Sequence, residues 1–141
     1  MMIASAWLTR LRGLWPNRSI GQRGERLAAR YLRSRGYAIV ARSQRDTIGE
    51  IDLIAVDGRT IVFVEVKTRA DHEAGHPAEA VDDHKQRQLT RLAASYLKHH
   101  GLLEHPARFD VVAITYPAGG KPRIEHFESA FAPQGLASMF S

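Results

Sequence analysis

The sequence has no cysteine in its 141 residues, which excludes a disulfide framework, a thiolate zinc site and a cysteine nucleophile. Metal chemistry, if any, must run on oxygen or imidazole. No apolar run approaches the roughly 18–20 residues of a membrane-spanning helix, and the Met1-Met2-Ile3 start lacks the basic segment and small-residue cleavage site of a signal peptide. The cytoplasm is the expected compartment. There is no internal repeat and no low-complexity tract, and the length suits one domain with a core of moderate size. Acidic residues are nearly missing from the first third. Residues 1–45 hold ten arginines against Glu25 alone, a net charge of +9, which leaves −4 for the remainder of a chain whose total is +5. Arginine forks hydrogen bonds to phosphate oxygens, so a basic third beside an acidic core suits a metal-dependent nuclease. Blocks of like charge also occur simply as solvated surface.

What the chain does have is a strong hairpin pattern at residues 50–67. Two runs rich in Ile, Val and Leu flank Asp57-Gly58, a dipeptide suited to a type I′ turn. With Asp57 and Gly58 as the loop, Val56 faces Arg59, Asp52 faces Phe63 and Glu50 faces Glu65. Side chains alternate along a strand, so Glu50, Asp52, Glu65 and Lys67 share one face, with the nearest carboxylates on diagonal neighbours roughly 7–8 Å apart at Cα. That spacing suits one shared cation. The remaining hairpin residues are apolar on both faces, as in the middle of a covered sheet. Charges buried there need pairing or a metal, so the alternative is a structural Glu65–Lys67 or Asp52–Lys67 ion pair. A three-residue turn would put Asp52 and Glu65 on opposite faces and dissolve the cluster.

Residues 1–18 place Ile3, Trp7, Leu8, Leu11, Leu14 and Trp15 at helical spacing around Arg10 and Arg12, until Gly13 and Pro16 end the pattern. They are expected to form a loosely packed arm, or one that touches a membrane surface or a partner. A first helix is expected from Ser19, its cap, to Arg35, closed by Gly36. Ile20, Leu27, Ala28, Tyr31 and Leu32 make its apolar face, and Arg23, Arg26, Arg30 and Arg33 lie opposite. Glu25 stands at the margin of the apolar stripe, where spacing alone gives an ordinary first-turn glutamate favoured by the helix dipole. A strand Tyr37–Arg42 and a polar loop Ser43–Gly49 lead into the hairpin. The loop Arg69–Pro77 carries Asp71, His72, Glu73 and His76 without the rigid spacing of a zinc protease. A second helix is expected from Asp83, as N-cap, to His99 or His100. Lys85 lies on the inward side of its first turn, able to reach phosphate or to snorkel to solvent. Arg108–Tyr116 and Arg123–Phe127 follow as strands. Asp110, a lone acid near a strand start, reads as structural or as a support behind the site. The order α-β-β-β-α-β-β gives an α/β fold, a mixed central sheet flanked by helices. Residues 1–18 are then an arm, 19–128 the domain and 129–141 a tail.

An acid on one strand followed by Glu65-Val66-Lys67 on the next resembles the PD-(D/E)xK nuclease superfamily, whose fold is restriction-endonuclease-like. More narrowly, the stretch from Gly21 through Phe127 looks like the YraN-like family of small bacterial proteins, similar to archaeal-type Holliday-junction resolvases. Four segments in order carry that likeness: Gly24-Glu25 opening a helix, Gly49 through Ala55, Val62 through Arg69, and a helix starting near Lys85. Ile51 stands where the superfamily has proline. The resemblance implies metal-dependent phosphodiester hydrolysis by an endonuclease, with Asp52, Glu65 and Lys67 catalytic. It also implies Mg²⁺ or Mn²⁺ on Glu25, Asp52, Glu65 and the Val66 carbonyl, and a homodimer. All-oxygen ligands suit these hard ions, and Lys67 would orient the water or neutralise developing charge. Arg23, Arg26, Arg30, Arg33 and Lys85 are the expected phosphate contacts, with DNA ahead of RNA. Two readings from other classes remain open: a module that keeps the fold and grips nucleic acid without cutting it, and a membrane-attached adaptor working through residues 1–18.

Overall fold

The computed structural model describes residues 20–70 and 81–135. Helix α1 (Ile20–Ser34) precedes strands β1 (Ala38–Arg45), β2 (Glu50–Asp57) and β3 (Thr60–Ala70), then helix α2 (Asp83–His99) and strands β4 (Ala107–Tyr116) and β5 (Arg123–Phe131). The expected order α-β-β-β-α-β-β is the one observed. The five strands form one mixed sheet in the order β1-β2-β3-β4-β5, with β3 and β4 parallel and the other neighbours antiparallel. A parallel pair needs a long crossover, and α2 lies in that connection.

The sheet is covered on both faces. Along β3, Ile61 and Phe63 join Leu89, Leu92, Ala93 and Leu97 of α2. The alternate residues Val62 and Val64 join Ala28, Ala29 and Leu32 of α1. This is the two-sided burial that the apolar hairpin predicts for central strands. Gly24 sets the approach of α1: a Cβ there would collide with Thr68 Cγ2 and meet Val66 and Ile114 at ordinary van der Waals distance. The glycine lets the N-terminal half of α1 settle onto β3 and β4, and carries Glu25 over the sheet.

Several boundaries differ from the sequence reading. β1 continues to Arg45 through residues expected in a loop, because an edge strand needs apolar side chains on one face at most and its polar stretch imitates a loop. β5 runs on to Phe131 rather than stopping at Phe127. The N-cap of α2 is Asp82, whose carboxylate accepts from Lys85 N–H, not Asp83. The hairpin loop is Gly58-Arg59, with Asp57 paired to Thr60, where Asp57-Gly58 was expected. Gly58 has φ +63°, while Arg59 keeps a negative φ, the requirement of a type II′ turn with glycine first. The loop still contains two residues, so moving it by one position preserves which side chains share a face. The arm 1–18, the cap Ser19, the Asp71, His72, Glu73 and His76 group and residues 136–141 lie outside the described residues. No helix among the described residues is long and apolar enough to cross a membrane.

Candidate metal centre

The candidate site lies where β2 and β3 part. They pair from Asp57 and Thr60 as far as Leu53 and Val64. Beyond that point Ile51 and Glu50 stay with Gln44 and Arg45 of β1, while Glu65 and Val66 stay with Val111 and Val112 of β4. Continuing the register by one step would set Asp52 beside Glu65. Instead the Asp52 carboxylate enters the fork and its Oδ2 accepts the Val66 N–H at 2.8 Å. A main-chain donor lacking a strand partner is thereby satisfied.

The strand is also irregular at this point. Ile51 packs in the α2-side cluster, whereas Leu53 packs in the α1-side cluster, so the period-two alternation breaks at Asp52. On β1, Ser43 lies between the partners of Leu53 and Ile51 and has φ +47°. A non-glycine residue in the left-handed region is uncommon and concentrates at functional sites. Its hydroxyl donates to Glu25 Oε2 at 3.0 Å, fixing the carboxylate that α1 brings over the fork.

Carboxylate oxygens of Glu25, Glu50 and Asp52 all lie within 4.8 Å of one another. Glu50 is paired with Arg45 at 2.8 Å. Glu65 is buried, and its Oε1 meets Lys85 Nζ at 2.7 Å. Burial pushes Asp52 up to about 7; the Val66 N–H opposes the rise and the Glu25 charge adds to it. Glu65 is likewise pushed up to about 7, by burial and then by the Asp52 charge, against the pull of Lys85. Burial also raises Glu25. Three acids are therefore held at unusually high pKa in one place, a condition that an added cation would relieve.

Of the residues singled out from sequence, Glu25 and Asp52 meet directly, and Glu65 adjoins them through its charge. Glu50, placed on that face but not among the ligands, belongs to the closest group. Lys85 is the ammonium bonded to Glu65, while Lys67 is exposed and acts on Glu65 only as a lesser charge. Val66 reaches the site through its N–H. Arg23, Arg26, Arg30 and Arg33 are all exposed on α1. Asp110 belongs to a different group. It is fully buried, accepting from Arg108 Nε and Ser129 N–H at 3.0 Å and lying 2.7 Å from His126 Nε2. Arg108 extends that group to Tyr37 and Asp57. Ser43 went unrecognised, because a serine in a polar run carries no sequence signal for a positive φ.

A profile of the uncharacterised protein family UPF0102 matches residues 24–114, from Gly24 of α1 to Ile114 of β4. A UPF0102 protein of Geotalea uraniireducens is 50% identical over 115 residues, covering 82% of this chain and 91% of that one. A UPF0102 protein of Rhodopirellula baltica is 48% identical over 128 residues, covering 88% and 77%. Another, of Chlorobium limicola, is 48% identical over 118 residues, covering 80% and 92%.

Proposed function

The chain belongs to the uncharacterised protein family UPF0102, the YraN-like family that its motifs resemble, and on that premise we propose that it is a divalent-metal-dependent endonuclease. The observation that carries this reading is the convergence of the Glu25, Glu50 and Asp52 oxygens within 4.8 Å, beside a buried Glu65, in a fork between two strands. The donors are all carboxylate oxygens, which fits Mg²⁺ or Mn²⁺. Such an ion, when bound, polarises a phosphate and lowers the pKa of water.

The side chains have separable tasks in this reading. Asp52, Glu25 and Glu50 would hold the cation, and Glu65 and the Val66 carbonyl would complete its ligands. Ser43 fixes Glu25, and the Val66 N–H fixes Asp52. Lys85, now bonded to Glu65 at 2.7 Å, would neutralise a phosphate oxygen if Glu65 turned to the cation, and Lys67 at the rim would steady charge on the attacking water. Water oxygen would form a bond to phosphorus as one ester P–O bond breaks, the water giving up a proton to solvent and the departing oxygen taking one from it, to give a phosphate monoester and a hydroxyl. The exposed arginines of α1 grip neighbouring phosphates.

A second reading, a binding module without activity, is favoured by the 2.7 Å Lys85–Glu65 contact, which neutralises one acid without any metal. The two separate on a panel of linear and branched nucleic acids incubated with Mg²⁺, Mn²⁺ or EDTA. The enzyme gives cleavage that EDTA abolishes and that Asp52→Asn loses while still binding. Binding with no cleavage in either metal would leave the module.

A further inference from the structure

A cavity of about 210 Å³ lies behind the carboxylates, between the end of β1, the start of β2 and the C-terminal half of α2. Its floor is Ile51 and Leu92. Ile51 stands between Glu50 and Asp52 in the chain, and its side chain faces the α2 side of the sheet. The cavity and the candidate metal centre are therefore the two sides of one stretch of β2. Arg45 joins them across the rim, since it lines the cavity and pairs with Glu50 at 2.8 Å.

The lining combines flat rings with hydrogen-bonding edges. Tyr96 and His100 lie ring over ring, with centroids 4.1 Å apart and planes inclined by 31°. Asp46 also lines the cavity; its Oδ1 accepts from the Thr47 N–H and hydroxyl, whereas its Oδ2 takes only a long 3.4 Å bond from the Ser95 hydroxyl, which leaves acceptor capacity on that oxygen. The walls are already in place. Asp46 and Gly49 bond each other's main chain at 2.8 and 3.2 Å, and Gln88 of α2 donates to the Ile48 carbonyl at 2.7 Å. Drug-sized ligands take about 300–1,000 Å³, so this cavity suits a single ring system. Aromatic faces, polar edges and an apolar floor are what proteins offer to splayed-out bases of single strands. A base paired and stacked in a duplex cannot enter it.

We infer that this cavity is a subsite for one unpaired nucleobase adjoining the phosphate held at the carboxylates, so that the preferred substrate carries unpaired nucleotides beside the cut. The inference rests on the nuclease reading as far as cutting is concerned, but base capture itself is measurable without cleavage. The probe is an oligodeoxynucleotide carrying one 2-aminopurine, either single-stranded or fully paired, titrated with the full chain in EDTA. The single strand should bind with quenched fluorescence, and the duplex should bind without quenching. His100→Ala and the cavity-filling Ser95→Trp both change exposed residues. With melting temperatures near the parent's, each should weaken single-strand binding by about 5- to 150-fold, the range expected for one stacked base, and leave duplex binding unchanged. Equal quenching in single strand and duplex, or parental quenching in both variants, overturns the subsite. Quenching without cleavage in Mg²⁺ keeps the subsite and removes the nuclease. Cleavage without quenching does the reverse.

Discussion

Asp52 is where burial, charge and main-chain bonding meet. Its pKa stands near 7 in the folded chain against an ordinary value of 3.8, chiefly through burial. Between those values the folded state holds a proton that the unfolded state has released. Stability contributed by the raised group is thus full below about pH 4 and is lost as pH rises toward 7. Glu65 and Glu25 act in the same direction. Asp52→Asn keeps an oxygen for the Val66 N–H and removes the charge. Melting temperatures between pH 4 and 8 should therefore fall less in Asp52→Asn than in the parent, with the variant the more stable at pH 8 by on the order of a few kcal/mol. A parent curve parallel to the variant's would refute the burial account. Ser43 gives a second test at this scale. Ser43→Gly relieves the positive φ but removes the donor to Glu25, so it should match or exceed the parent's stability while weakening divalent-metal affinity. Ser43→Val should lose about 1–3 kcal/mol in denaturant melts, since a β-branched residue is strained there. Asp52 and Glu65 were readable from sequence because acids among apolar strand residues stand out. Ser43 was not, because its strain belongs to the backbone and leaves no mark on residue type.

At the scale of elements, the decisive feature is the divergence of β2 and β3. The apolar runs and the Asp57-Gly58 dipeptide identify the hairpin, but two turn types compete for one glycine. Gly58 serves as the first residue of the loop, not the second. Between Asp57–Thr60 and Leu53–Val64 faces survived that shift and partners did not, since parity depends on the number of loop residues and register on their position. Beyond Leu53 the alternation breaks, so the expected common face of Glu50 and Asp52 with Glu65 and Lys67 does not follow from the hairpin. The fork itself was unreadable, because strand separation depends on a sheet-wide choice of neighbours: β2 follows β1 and β3 follows β4. The opposite end of these strands is tied by Arg108, Asp110 and His126. Burial alone would raise Asp110, but hydrogen bonds from His126, Arg108 and the Ser129 N–H outweigh it and hold the acid below its ordinary value. Its stabilisation is present above pH 3.8 and is lost as pH falls through the lower folded value. Asp110→Ala leaves Arg108 without this partner and should cost about 3–5 kcal/mol in chemical denaturation. A loss under about 1 kcal/mol would contradict the buried pairing.

For the whole molecule, charge is segregated. Exposed arginines line α1, the same helix that brings Glu25 to the fork. Reversing Arg26, Arg30 and Arg33 to Glu should weaken duplex binding and flatten its dependence on the logarithm of salt concentration, by about 0.9 for each phosphate no longer neutralised. An unchanged slope would place the binding surface elsewhere. The central claim, that the carboxylates of the fork hold a divalent cation, is tested most directly by titrating the full chain with Mn²⁺ and counting free ion by electron paramagnetic resonance. Protons compete for the same oxygens. One Mn²⁺ should bind per site at pH 8, more weakly at pH 6, and not in Asp52→Asn. No binding by the parent at pH 8, or undiminished binding by Asp52→Asn, would contradict it.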